Sequence, residues 1–329
     1  MVTTFVEPPD PGDGVVGVLP PYPPPPQLIA MRTLTTPTPS TRDRSLMLSR
    51  RTIVISLFLT VTTAAGAGAQ ERAYFVTYDH YLEERGNLEI AVASTTGVPK
   101  SDRSAYTAPW IELEYGVTGW WTTEVYLEGV ATRHDGHGFT GWRFENRFRP
   151  LRNEHRVNPV VYVEYESINE ASRMQKEIVG AGTIPFEPIH ELRREHAHEL
   201  EGKLILSSLV SGFNVAQNII IEKNLSESEG VEFGYSIGVA RHLGTLARSN
   251  SCRLCAENLV IGAELYGGLG SSEAFARKDQ RHYLAPVFSW RLTNRVTVKA
   301  SAGFGVTKNS DHILLRAGAT YELPVGGGR

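Results

Sequence analysis

The stretch from Arg295 to Leu323 reads RVTVKASAGFGVTKNSDHILLRAGATYEL, and its alternation decides the fold. Val296, Val298, Ala300, Ala302, Phe304 and Val306 fall on one side of the first arm; Thr297, Lys299, Ser301, Gly303 and Gly305 fall on the other. The second arm repeats the pattern, setting Ile313, Leu315, Ala317, Ala319, Tyr321 and Leu323 against Leu314, Arg316, Gly318, Thr320 and Glu322. Successive side chains of a strand point to opposite faces, so a period of two predicts a β-hairpin. The arms are long, since about five to six residues is usual in globular proteins. Their polar face carries small residues and charges of both signs, which suits strands with lipid on one side and a wet or ion-paired interior on the other.

The same alternation recurs upstream over Leu88–Thr95, Trp110–Val117, Trp121–Ala131, Thr140–Arg149, Val160–Glu166, Glu199–Ser208, Phe213–Lys223, Val231–Arg241, Leu259–Gly267 and His282–Leu292. With the final hairpin this predicts about twelve strands in an all-β, antiparallel up-and-down transmembrane barrel. The connections Gly116–Trp120, Leu209–Gly212 and Leu292–Arg295 are tight, whereas Gly97–Ala108, Ser167–Glu195 and Gly268–Arg281 are long and polar. If the first strand runs outward, the tight turns all fall on the periplasmic side and the long loops all fall outside, the asymmetry of outer-membrane barrels. Trp110, Trp120, Trp121, Tyr126, Trp142, Phe148, Tyr165, Phe213 and Trp290 lie near predicted strand ends, as interfacial girdles require. A soluble β-sandwich also alternates, but its strands are shorter and its outer face does not repeat aromatics in this way.

At 329 residues the chain is long enough for one large or two ordinary domains. A net charge of −3 with an isoelectric point near 6.4 gives no general attraction to nucleic acid. Glycine is plentiful, at 31 residues, as a turn-rich all-β protein requires. A mean hydropathy of −0.21 is compatible with a barrel, in which only alternate residues meet lipid.

Residues 1–46 are Pro- and Thr-rich and read as disordered, or as the product of a start assigned upstream of Met31 or Met47. Residues 47–69 read as an export signal: Arg50 and Arg51, an apolar run Ile53–Val61, then Ala67-Gly68-Ala69 as the small-x-small cleavage site before Gln70. Residues 70–329 are the expected barrel, placed in the bacterial outer membrane.

The inward faces are expected to carry Glu112, Glu114, Glu124, Glu128, Glu145, Glu164, Glu166, Glu201, Glu222, Glu232, Glu264 and Glu322. Against these stand Arg143, Arg147, Arg149, Lys203, Arg291, Lys299 and Arg316, so acid exceeds base. One reading is that cross-strand pairs such as Glu124 and Glu128 with Arg143 and Arg147 fill a narrow lumen. The other is an acidic, cation-preferring passage. About twelve strands sit between small filled barrels and open porins.

Cys252-Arg253-Leu254-Cys255 falls in a predicted periplasmic connection. No His follows for attached haem and no second Cys pair exists for zinc, so in an oxidising compartment Cys252 and Cys255 are expected to form a local disulfide. His190, His196 and His198 beside Glu191, Glu195 and Glu199, like His134 and His137, suit solvated loops better than a metal site. No Ser-His pair has a recognisable hydrolase pattern. The expectation is therefore no catalytic residue, no metal and no cofactor.

The signal followed by Ile111-Glu112-Leu113-Glu114-Tyr115-Gly116-Val117-Thr118 and Trp290-Arg291-Leu292-Thr293-Asn294-Arg295-Val296 resembles bacterial outer-membrane β-barrel families, porin-like and distantly similar to the MetA-pathway type of phenol degradation. The resemblance implies fold and location, with outer-membrane lipid and the barrel assembly machinery as partners, and it carries over no functional residue. Such barrels usually end on an aromatic residue; this chain ends Tyr321-Glu322-Leu323-Pro324 and a Gly-rich tail. The functional expectation is a porin-like channel or uptake protein for a small solute. The alternatives are a structural or adhesive barrel with a blocked lumen, and an outer-membrane hydrolase.

Overall fold

The computed structural model describes residues 73–100, 104–176, 178–179, 188–245 and 258–326. The export signal and Cys252 and Cys255 lie outside the described residues. Among the described residues twelve strands pair antiparallel with their sequence neighbours, and β12 returns to β1, closing the barrel. They are β1 (Asn87–Val98), β2 (Tyr106–Thr118), β3 (Trp121–Thr132), β4 (Gly136–Phe148), β5 (Asn158–Asn169), β6 (His196–Val210), β7 (Phe213–Asn224), β8 (Glu232–His242), β9 (Leu259–Ser271), β10 (His282–Arg291), β11 (Val296–Gly305) and β12 (Ile313–Pro324). Closure leaves no edge strand, so every strand's backbone amides and carbonyls can pair within the wall, as a hydrocarbon solvent demands.

The side-chain alternation places the two faces. On β7, Ile219 and Ile221 are 56% and 49% exposed, while the alternating Asn218 and Ile220 are buried. Leu200 and Leu204 on β6, Val92 on β1 and Phe304 on β11 are likewise exposed, each flanked by inward neighbours. The final hairpin has the predicted phase: Thr297, Ser301, Leu314, Arg316 and Thr320 are buried, and Phe304 and Leu315 face out. Two belts of aromatics bound this apolar exterior. Near the end of the barrel that holds the start of β1 and the finish of β12 (the terminal end), Trp120, Trp121 and Phe148 pack with ring centroids 6.0–6.4 Å apart. Toward the far end Trp142 packs on Tyr165 and Tyr165 stacks on His198.

Trp110 and Tyr126 do not belong to these belts. Both share the inward phase of Glu112 and Glu128, and Trp110 pairs directly across from Glu128. Several strands also run further than the alternation predicted. β9 continues to Ser271 through Gly267, Gly268 and Gly270, which interrupt the apolar pattern but not the ladder; Gly270, at φ 100°, lies where the pairing with β8 shifts register. At the terminal end Ser211 and Gly212 both have positive φ, the geometry of a two-residue primed turn between β6 and β7.

The lumen is filled from both ends. Residues 73–86, ahead of β1, form no strand; they cross the interior from the terminal end. From the far end, the β5–β6 connection folds inward through a 3₁₀ turn over Glu170–Met174 and a short helix over Ile189–Leu192. Its Ala171, Met174, Ile178, Val179, Ile189 and Leu192 are buried against inner-wall residues such as Tyr106, Val130, Ile220 and Tyr266. These described parts of the longest connection, which the sequence predicts as a solvated outer loop, are therefore part of the core, because their apolar side chains have the inside of the barrel to pack against. Gly234 and Gly238 on β8 make room: a β-carbon at Gly234 would collide with Ile178, and one at Gly238 with the ring of Tyr74.

Candidate functional site

The acidic and basic residues of the strands meet inside the wall as cross-strand sets. Arg147, buried on β4, reaches Glu114 on β2 and Glu124 on β3, with Glu145 Oε1 3.1 Å from its Nε. Two inward positions back along β4, Arg143 sits 2.6 Å from Glu128 and 3.3 Å from Glu164. Lys203 is 2.7 Å from Glu201 and lies over the ring of Tyr162, 3.9 Å from its centroid. Arg316 donates to the Tyr266 hydroxyl at 2.6 Å, and Lys299 faces the ring of Phe75. Glu112, Glu222 and Glu264 are buried as well. Buried charges persist only with partners of opposite sign or several hydrogen bonds, and this wall supplies both.

Glu264 shows the second kind. Its carboxylate accepts from the backbone N–H of Phe75, Val76 and Thr77 at 3.2, 2.8 and 2.6 Å. That single β9 side chain satisfies three consecutive amides of the segment ahead of β1, which has no strand partner there. The segment is pinned at further points across the lumen. Tyr74 donates to Asn214, the Tyr78 amide donates to Asn218, and Asn218 returns a bond to the Tyr78 carbonyl at 2.8 Å. The Tyr78 hydroxyl donates to Glu145. His80 contacts Ser207 and sits 2.9 Å from Glu154, and the Glu83 amide donates to Thr122. Five strands and one terminal-end connection thus hold one strap.

The β5–β6 connection is anchored by Lys176. Its ammonium is 3.4 Å from Glu166 and 3.0 Å from Glu222, and it also meets Glu199. Burial disfavours its charge, but Glu166, Glu222 and Glu199 together override that and hold its pKa well above the ordinary lysine value. Beside it the Gln175 amide donates to the Gly129 carbonyl.

Between strap and connection lies a cavity of about 160 Å³. The strap forms one side of it through Phe75 and Tyr78, and the connection forms another through Gln175, Lys176 and Ile178. Lys176 and Glu222 also border a second hollow of about 220 Å³ at the far end, lined by seven glutamates, among them Glu195, Glu227, Glu229 and Glu232, with Arg173 and Lys176 as its basic residues. Lys176 and Glu222 thus border both polar hollows.

Sequence reasoning selected the strand charges but passed over Glu89, Lys176 and the strap. The strap did carry a signal: Tyr74, Phe75, Tyr78 and Tyr81 crowd a short stretch without alternation, directly before the first strand. His190, His196 and His198 do not converge; His198 is bonded to Tyr165, and His190 lies 3.7 Å from its neighbour Glu191.

A closed antiparallel sheet with an aliphatic exterior, aromatic belts and an ionised interior defines a membrane-spanning β-barrel. No family model matches the chain, and no curated protein matches it in sequence. Among solved structures it is similar to an outer membrane channel from Pseudomonas putida F1, at 12% identity and a TM-score of 0.48, covering 74% of this chain and 98% of that one. It is also similar to the NanC porin, at 12% identity and 0.43 over 72% and 100% of the two chains. For the KdgM porin the values are 9% and 0.41 over 71% and 98%.

Proposed function

We propose that the protein is an outer-membrane channel for small polar solutes, narrowed by its own strap and β5–β6 connection and preferring cations. The observation that carries this reading is the pair of polar chambers between those two inserts, inside a wall whose outer face is apolar. A barrel with only a structural task has no need of hollows lined by ionised groups, whose desolvation is costly. The excess of glutamate over Arg and Lys in the far chamber supports the cation preference. The likeness to MetA-pathway barrels belongs to this reading; the two stretches that carry it lead into tight turns at the terminal end, after β2 and after β10. Influx into vesicles reconstituted with the purified protein tests the proposal. Small cations should enter faster than small anions of equal size, and vesicles no leakier than protein-free controls would refute it.

The blocked-barrel reading has one observation in its favour. Tyr78, Tyr126, Glu124, Glu145 and Arg147 form one hydrogen-bonded and ion-paired cluster on the β3–β4 side of the lumen. The same influx measurement separates the two readings.

A further inference from the structure

We propose that Glu166, Glu199 and Glu222 form a site for a divalent cation of the calcium class, and that the ammonium of Lys176 occupies it in this structure as a tethered competitor. Because a soluble cation reaches the site through the lumen, the assignment rests on the channel reading and gives its cation preference a definite place.

The cage belongs to the wall. Glu166 on β5 stands directly across from Glu199 on β6, and Glu222 on β7 stands across from Glu201, the next inward residue of β6. Like charges opposed across a sheet repel, so three buried carboxylates persist here only around a cation. One oxygen of each lies within 4.8 Å of those of the other two. That is the span of two calcium–oxygen bonds of about 2.4 Å, so one ion bridges the three with small side-chain adjustments and no movement of the strands.

The cage already holds a positive charge. Lys176 comes from the β5–β6 connection, with its Nζ 3.4 Å from Glu166, 3.0 Å from Glu222 and in contact with Glu199. Among the described residues no other basic side chain lies within ion-pair distance of these three carboxylates; Arg143 and Lys203 are engaged by Glu128, Glu164 and Glu201. One ammonium against three carboxylates leaves a formal charge of −2, and a divalent ion in its place leaves −1. The lysine reaches in on a flexible four-carbon stem, whereas the carboxylates stand on the wall, so exchange displaces the lysine and leaves the cage in place.

Ser172 is the independent sign of a ligand. It is only 3% exposed, it borders both hollows together with Lys176 and Glu222, and its hydroxyl has no hydrogen-bond partner among the described residues. An oxygen left unbonded in so buried a place is costly, and a cation or the water bound to it removes that cost. The Lys176 amide donates to the Ser172 carbonyl at 3.2 Å, so hydroxyl and ammonium issue from the same turn of the connection.

The approach to the cage is acidic as well. The far hollow, of about 220 Å³, sets seven glutamates against Arg173 and Lys176. Such an excess of one sign concentrates cations at the cage. Glu199 and Glu222 line that hollow themselves, so an ion entering it has direct contact with two of the three ligands.

Equilibrium dialysis of calcium against the full-length purified barrel in detergent, its folding verified by heat-modifiable migration, is the test. The unmodified protein should bind calcium saturably, with a dissociation constant of about 10⁻⁴–10⁻³ M because Lys176 competes. Glu222→Gln should weaken that binding at least about tenfold. Lys176→Met should bind calcium at least about tenfold tighter than the unmodified protein, as should Lys176→Gln, a polar replacement run beside it, and Glu222→Gln should abolish the gain. Arg173→Met, which removes a positive charge from the far hollow and leaves the cage filled, should change the affinity less than about threefold. Calcium should also make the β5–β6 connection of the Lys176 variants resistant to protease. Because the first titration and its loss in Glu222→Gln need no Lys176 variant, a variant that fails to fold does not remove the test. Folded Lys176 variants that bind calcium no tighter than the unmodified protein overturn the proposal, as does a gain that survives Glu222→Gln or is matched by Arg173→Met. Absence of calcium binding by the unmodified protein overturns the site, and leaves the channel reading standing where the same preparation conducts ions. Calcium binding in a protein that conducts nothing supports the site and refutes the channel.

Discussion

The hydroxyl of Tyr78 donates to Glu145 Oε2 at 2.9 Å, tying a residue that precedes the first strand to the inner face of β4. With the three amides held by Glu264, this bond makes residues 73–86 a fixed insert of the lumen. The barrel's interior is therefore set by a segment that contributes nothing to its wall.

Loss of the strap's main anchor should loosen it. Hydrogen bonds to a charged group contribute about 1.5–3 kcal/mol. Glu264→Ala removes three of them, and the amides of Phe75, Val76 and Thr77 should exchange with deuterium at least about tenfold faster while strand amides keep their protection. Unchanged protection would mean that other contacts hold the strap.

Arg147 is the cation shared by Glu114, Glu124 and Glu145. Arg147→Met leaves three buried carboxylates around an apolar side chain, and breaking a buried pair in this way costs about 3–5 kcal/mol. The temperature of heat-modified migration should fall clearly for this variant and far less for Arg149→Met, at the terminal end of the wall.

Lys176 governs the other insert. Its pKa is raised, so the stabilisation it gives is complete below the ordinary lysine value near about 10.4 and is lost only as pH rises beyond that, through the higher folded value. The β5–β6 connection should stay protease-resistant from neutral pH to about 10. Lys176→Met, which leaves Glu166, Glu199 and Glu222 facing one another, should make it cleavable at neutral pH.

The outer wall has its own test. Ile219, 56% exposed midway along β7, faces hydrocarbon in this account. Ile219→Arg should destabilise the barrel by about 2–4 kcal/mol in reversible urea titrations in lipid vesicles, as arginine does at the midplane of a membrane barrel. A change within about 0.5 kcal/mol, typical of a water-facing site, would place that face in solvent.

The wall of this barrel is written in the chain and its filling is not. Val296 to Val306 and Ile313 to Leu323 give face, phase and pairing from local alternation alone, because a strand's two faces see two different solvents. The same phase, read strictly, turns Trp110 and Tyr126 inward, whereas aromatic character alone assigns them to the belts. Residues 73–86 have no period to read, since their partners, Glu264, Asn218, Glu145 and Ser207, lie between about 67 and 189 positions away and belong to different strands. The β5–β6 connection is a part of the filling that leaves a trace in the sequence. Met174, Ile178, Val179, Ile189 and Leu192 are too many apolar residues for a solvated loop, and the inside of the barrel was the remaining place to bury them.

Single-channel recording of the purified protein in a planar bilayer, across a potassium chloride gradient, tests the central claim most directly. Small stepwise openings with a reversal potential of cation-selective sign are expected, and conductance should grow when residues 73–86 are deleted. A folded barrel that inserts yet passes no current, with and without that segment, would contradict the account.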